Sequence, residues 1–187
     1  MRRLLLVCLA AAPITAQAPD DHAVAVMRGV QFPEVIGTFS GARLTRYPEV
    51  DQGVSFSYLA PQFRAEISVY VYPISEEAAA VPLGEVFAFD WDVIQRYTQQ
   101  VREATVEVLG DTAVTIVDDN AAPHAGFRGE LTMTRGANVQ SSQLYLFIRG
   151  HHFLKFRVTY DKSMQQQAEP EVQRFLASAL ATVKPAN

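Results

Sequence analysis

A chain of 187 residues with 16 lysines and arginines against 20 aspartates and glutamates has a formal net charge of −4. That length suits one ordinary domain with a real core, and the acidic balance argues against a non-specific binder of nucleic acid or anionic membrane, which needs a basic face. The single cysteine, Cys8, excludes a disulfide-stapled scaffold and a thiolate metal centre.

The chain opens MRRLLLVCLAAAPITAQA. Arg2 and Arg3 form a positive start, Leu4 to Ala12 a short apolar run, and Ala16 and Ala18 an A-x-A pattern. Residues 1–18 are therefore expected to be a secretory signal peptide, too short to span a bilayer. Cleavage is expected after Ala18, or after Ala16 because proline is a poor residue just beyond a cut. Cys8 follows only four apolar residues, with Leu6 and Val7 where a lipoprotein would carry small ones. Loss of Arg2 and Arg3 leaves 14 cations against 20 acids, a net charge of −6, and no cysteine. The expected location is the periplasm or the exterior, for a single α+β domain over residues 19–187. No later apolar run is long enough to be a transmembrane segment.

Phe32 to Tyr47 reads as a hairpin turning near Ser40–Gly41. Val54, Phe56 and Tyr58 share one face of the next strand. FRAEISVYVY, Phe63 to Tyr72, puts Phe63, Ala65, Ile67, Val69 and Val71 on one side and Arg64, Glu66, Ser68, Tyr70 and Tyr72 on the other. This period of two, rich in β-branched and aromatic residues, marks a strand. SEEAAAVPLG, Ser75 to Gly84, is a linker or a short helical turn. Phe87, Trp91, Ile94, Tyr97, Val101, Ala104 and Val108 then step by three and four, predicting an amphipathic helix that Gly110 ends. Strands resume at Ala113–Val117, Phe127–Arg135, Val139–Arg149 and Phe153–Tyr160, separated by turn signals. The double histidine His151–His152 marks the last of these bends. A helix closes the chain from about Gln165 to Val183, its ordered part expected from Glu169 so that Pro170 falls in the first turn.

Strands, a long helix, strands and a final helix predict an α+β fold. About six to seven antiparallel strands would pack against two amphipathic helices as an α/β sandwich. The hairpin LYLFIRGHHFLKFRVTY, with the terminal helix ending in FLASAL, resembles the closing section of PsbP-like domains. The resemblance covers roughly the last quarter of the chain. It implies a secreted or organellar α/β/α accessory module with a central antiparallel sheet, and it brings no catalytic residues with it.

Phosphate loops, GxSxG elbows, HExxH and calcium loops are missing from the sequence. The polar side of the strands offers one candidate surface. Arg64, Tyr70, Tyr72, Arg128, Lys155 and Arg157 are expected to line up there as contacts for an anionic or aromatic partner. Cross-strand charge pairs alone would also account for such a face. Glu66 and Glu130 fall on it too, but each stands beside arginines, which suits ion pairing better than acid catalysis. A metal site, if formed, would draw on Asp118, Asp119 and His124 of one loop and His151 and His152 of another. A third possibility is a pocket for an apolar ligand beneath Phe87, Phe89 and Trp91.

The sequence thus favours an exported, non-catalytic binding or accessory module without a cofactor, whose partner is an unspecified protein or small molecule. A metal-dependent hydrolase and an apolar-ligand carrier are the alternatives.

Overall fold

The computed structural model of the protein describes residues 32–47, 53–100 and 103–182. The expected signal peptide, Val101 and Val183 lie outside these residues. Eight strands form, β1 Val35–Ile36, β2 Phe39–Arg46, β3 Val54–Ala60, β4 Ala65–Pro73, β5 Thr105–Val117, β6 Pro123–Arg135, β7 Asn138–Arg149 and β8 His152–Asp161. The helices are α1 Glu76–Ala79, α2 Leu83–Gln100 and α3 Gln165–Thr182. All strands join one sheet in the order β1-β2-β3-β4-β8-β7-β6-β5, antiparallel at every step. Two four-stranded meanders therefore meet at β4 and β8, and the helical segment carries the chain from β4 to the far edge. Among the described residues the sheet has eight strands rather than six to seven, and a one-turn helix, N-capped by Ser75 through the Ala78 amide, accompanies the two long ones.

Because consecutive strand residues face opposite ways, each central strand feeds two cores. On one face Ile67, Val69, Val71, Tyr145, Phe147, Leu154, Phe156 and Val158 pack with Val172, Phe175, Leu176, Ala179 and Leu180 of α3. On the other, Leu131, Met133, Leu144, Leu146 and Phe153 pack with Phe87, Trp91 and Ile94 of α2. The helices thus lie on opposite sides of the sheet. Trp91 sits directly on the Gly129 backbone, where an added Cβ would come within 2.8 Å of its indole. Phe87 stacks on Phe127 with ring centroids 5.5 Å apart. The helix is solidly packed at the place where the carrier reading needs a cavity.

Three boundaries differ from expectation. The long helix is described to Gln100 and has given way by Glu103, and β5 begins at Thr105 instead of Ala113. Thr105, Val106, Val108 and Val114 to Val117 are mostly β-branched, and they gain a full ladder with β6; that outweighs the helical spacing of Val101, Ala104 and Val108. Gly110 ends no helix. With φ 129° it stands where the β5–β6 register shifts between Val108 and Gly110, a bulge at Leu109 that re-phases the strand. Val106 consequently faces α2, while Val114 and Ile116 face α3. In the first hairpin Ile36 pairs with Phe39, so the turn is Gly37–Thr38, and Gly41 sits instead in an irregularity of β2 between Ser40 and Arg43. Finally, α3 starts at Gln165 and runs on past Pro170. Gln166 and Pro170 are exposed, so water can reach the Gln166 carbonyl that the proline leaves without its helical donor.

The sheet curls strongly around α3. Phe175 meets Phe39 of β2 at 5.3 Å between centroids, and Ser178, one turn on, donates to Asp119 in the β5–β6 loop. Flat, β2 and β5 would stand about 29 Å apart, yet they reach positions about 5 Å apart along one helix. One face is therefore concave and filled by α3; the other is convex and carries α2.

Gly129→Ala is expected to destabilise the protein by about 1–3 kcal/mol, since the methyl drives Trp91 out of contact with the sheet. Urea unfolding followed by Trp91 fluorescence checks this, and an unchanged midpoint would refute the placement of the indole.

Candidate functional site

On the convex face the register sets Glu66 opposite Thr159, Ser68 opposite Arg157, Tyr70 opposite Lys155 and Tyr72 opposite Phe153. Lys155 is nearly buried. Its Nζ lies 3.2 Å from Asp90 Oδ2 on α2 and 5.4 and 5.5 Å from the ring centroids of Tyr70 and Tyr72. Tyr72 also donates to the same Asp90 oxygen at 3.4 Å. A buried ammonium is tolerated when a carboxylate and aromatic faces replace its water. Asp90, on the first half of α2, thereby ties the helix to the sheet just where its cover ends.

Beyond this junction, among the described residues, the face stays polar and half-open across β4, β3 and β2. Glu66, Leu59 and Arg43 are exposed, while Ser57, Ser68, Thr45, Tyr70, Arg157 and Thr159 are half-buried. Tyr47 and Ser55 share a hydrogen bond of 3.2 Å at its margin. Burial, reinforced by the nearby Tyr47 phenol, pushes the Tyr70 hydroxyl up to about 12. The result is a broad shallow strip of hydroxyls, a tyrosine ring and charges, suited to surface contact.

The six expected contact residues divide among three places. Tyr70, Tyr72, Lys155 and Arg157 come together on the convex face. Arg64, in a left-handed conformation, pairs with Asp161 at 3.1 Å and is largely exposed. Arg128 lies on the concave face, as does Glu130, because β6 puts its even-numbered residues opposite the Tyr145 row of β7. Glu66 and Glu130 therefore stand on opposite faces and form no acid pair.

Of the expected metal ligands, the fold joins two. His124 Nε2 donates to Asp118 Oδ2 at 2.8 Å, both side chains being buried. The other Asp118 oxygen accepts the Asn120 and Ala122 amides at 2.9 Å each. The His124 bond first, then the Ala122 amide, hold the Asp118 carboxyl below the usual carboxylate range. Asp119 instead accepts from Ser178 on α3. His151 is exposed in the β7–β8 turn and His152 is buried opposite Arg149, so the adjacent histidines part as strand alternation requires. His152 lies at the same end of the sheet as His124, but β7 intervenes, a separation of about 10 Å. Among the described residues no group of three or more His, Cys, Asp or Glu side chains is placed to hold a metal ion.

Sequence reading missed a polar network beneath the start of α3. Arg128 Nη2 bridges Glu130 at 2.7 Å and Glu169 at 2.9 Å, and its guanidinium lies over the Tyr145 ring. Tyr145 donates to Gln143, and Gln143 to the Tyr160 hydroxyl, at 3.0 Å each; Tyr160 then donates to Glu169 at 3.2 Å. Gln143, Tyr145 and Tyr160 are almost wholly buried. The one available signal was QSSQ, Gln140 to Gln143, which puts polar residues where the rest of β7 carries apolar ones.

No protein-family model and no curated protein matches the chain. Among solved structures it is similar to the cyanobacterial PsbP protein, CyanoP, of Synechocystis. That match has 12% identity and a TM-score of 0.48, over 80% of this chain and 83% of that one. It is also similar to PA94, a protein of unknown function from Pseudomonas aeruginosa, at 13% identity and a TM-score of 0.39, over 88% and 97% of the two chains. The PsbP likeness thus extends over most of the chain and is not confined to its last quarter. Neither likeness transfers a residue role. Among the described residues no helix is long and apolar enough to cross a membrane.

Burial raises several phenols together. Tyr145 is pushed up to about 12, burial outweighing the Arg128 charge, and Tyr58, Tyr72 and Tyr160 are pushed higher still, burial being the largest cause in each. In the unfolded chain these groups ionise near pH 10. Above that pH the unfolded state sheds protons that the native state keeps, so stability is intact below about pH 10 and falls as pH rises toward 12. Urea midpoints measured across pH 9–11 should show this decline, with a shallower slope in Tyr145→Phe; an unchanged slope would contradict the burial of that phenol.

Proposed function

We propose that the protein is an exported, non-catalytic binding or accessory module that engages another protein across the open convex strip. One observation carries the reading. The cover of α2 ends at Tyr72 and Lys155, leaving Tyr70, Arg157, Ser57, Ser68 and Arg43 as a continuous half-exposed surface beyond it. Tyrosine and arginine are enriched where proteins meet, and a shallow strip suits a macromolecular partner better than a small molecule, which prefers a concave site. Export rests on the N-terminal pattern of residues 1–18.

A photo-crosslinking residue at Ser57, in cells that make the protein, should give one discrete adduct. Arg157→Glu should abolish it, while a crosslinker at Arg174 on α3 should give none. Equal adducts from both positions, or none at Ser57, would remove the strip as the contact surface. The mature protein should also begin at Gln17 or Pro19 by intact mass and be found outside the cytoplasm. Metal analysis and native mass spectrometry of the same sample provide the competing outcome. A stoichiometric ion lost in His124→Ala would replace this reading with the metal-dependent hydrolase.

A further inference from the structure

The far edge of the sheet is built differently from the near one. The near edge ends in β1, two residues long, with Arg43 and Arg46 on the adjoining strand. The far edge is β5, thirteen residues long and exposed at ten of them, with β6 as its one neighbour among the described residues. Val108 is 45%, Leu109 49% and Val117 57% exposed. Along TVEVLGDTAVTIV there is no cation and there are two carboxylates, Glu107 and Asp111. A long edge strand of this kind presents a row of unpaired amides and carbonyls to any extended chain that reaches it. Here the row also carries uncovered apolar side chains and a charge of one sign.

We propose that β5 is a strand-addition site that takes an extended, cationic segment of another protein as a ninth strand. Backbone pairing supplies the attraction and alternate side chains the selectivity. The bulge fixes the charge spacing. Glu107 pairs with Thr132 and Asp111 with Gly129 across β6, three ladder positions apart because Leu109 is extra. Thr132 lies on the concave face and Gly129, under Trp91, on the convex one, so the two carboxylates stand on opposite faces. An added antiparallel strand of the same spacing meets both with cations three residues apart, one on each face. Val108 offers apolar contact between them. A second copy of β5 is a poor occupant, since it brings two carboxylates of its own and no cation to meet Glu107 and Asp111. This site lies on a different edge from the convex strip and does not depend on it.

The test uses the full mature protein, isotope-labelled, and two blocked peptides. One has the sequence TKVTKVT, and its twin carries glutamate for each lysine. Backbone resonance shifts and amide exchange are followed as each is added at low salt. The lysine peptide should shift signals confined to residues 105–117, slow their exchange, and bind at least about tenfold more tightly than the twin. The double variant Glu107→Lys, Asp111→Lys, checked for folding by circular dichroism, should reverse that preference. If the variant fails to fold, the two peptides on the unaltered protein still decide. Equal binding of both peptides, shifts scattered away from β5, or no shifts with the lysine peptide overturn the proposal. So does a peptide-free dimer whose protected amides are those of β5, which would make a second copy the occupant.

Discussion

Strand alternation in the β7–β8 hairpin is the constraint on which the rest of the molecule depends. With a helix on each side, neither row of side chains can be left to water, and the hairpin must satisfy two cores at once. Tyr145, Phe147, Leu154 and Phe156 go to α3, while Leu144, Leu146 and Phe153 go to α2. A slip of one residue would exchange the two sets and put Lys155 among the aromatic side chains around α3. The Gly150–His151 turn, with Gly150 at φ 56°, is short enough to hold that register, pairing Arg149 directly with His152. Of the two histidines only His151 belongs to the bend, while His152 opens β8 and fixes the phase.

The two cores are closed by different polar devices. Under α3 the network of Arg128, Gln143, Tyr145, Tyr160 and Glu169 replaces apolar contact in the first half of the helix, and its hydroxyls and amides are used against one another. On the convex side the Lys155–Asp90 pair does the corresponding work for α2. Its components differ, because an ammonium held between two tyrosine rings needs only one carboxylate. Removing Asp90 alone would strand the ammonium, whereas replacing both partners by apolar residues would leave no buried charge. The pair thus holds α2 at one position over the sheet and thereby fixes where the open strip begins.

Much of this was legible in the residues. The alternation of FRAEISVYVY marked a strand and its inward face, the closing hairpin was read as two strands, and of the linker or short helical turn expected at SEEAAAVPLG the fold has the turn. The stripe of Phe87, Trp91 and Ile94 gave the packed face of α2. What failed was phase. Val101, Ala104 and Val108 fit a helix by spacing, and only the ladder with β6 shows that the segment from Thr105 is a strand. Arg128 and Glu130 match Arg64 and Glu66 in their alternation, but alternation within one strand says nothing of which face its neighbour presents. That depends on register across β7 and β8, a long-range property. The same blindness joined Arg128 to Tyr70 on one imagined surface, and it passed over Asp90, whose carboxylate reaches Lys155 from a helix distant in sequence.

Curvature explains why one face is finished and the other is not. Rolled until Phe39 and Asp119 both reach α3, the sheet has an inner surface that one helix of eighteen residues can fill. The outer surface of the same eight strands is necessarily larger, and it too has one long helix. That helix lies over β5, β6 and β7 and reaches β8 through side chains, where the strands supply Val106, Leu131, Leu144 and Phe153. Over β2, β3 and β4 they supply serines, threonines and charges on the outside, while the same strands bury Phe56, Ile67 and Val69 within. The sequence has therefore conceded the outer half to solvent residue by residue. A surface left polar by the composition of three successive strands, and bounded by a buried lysine, is the exterior of a fold whose interior is already full.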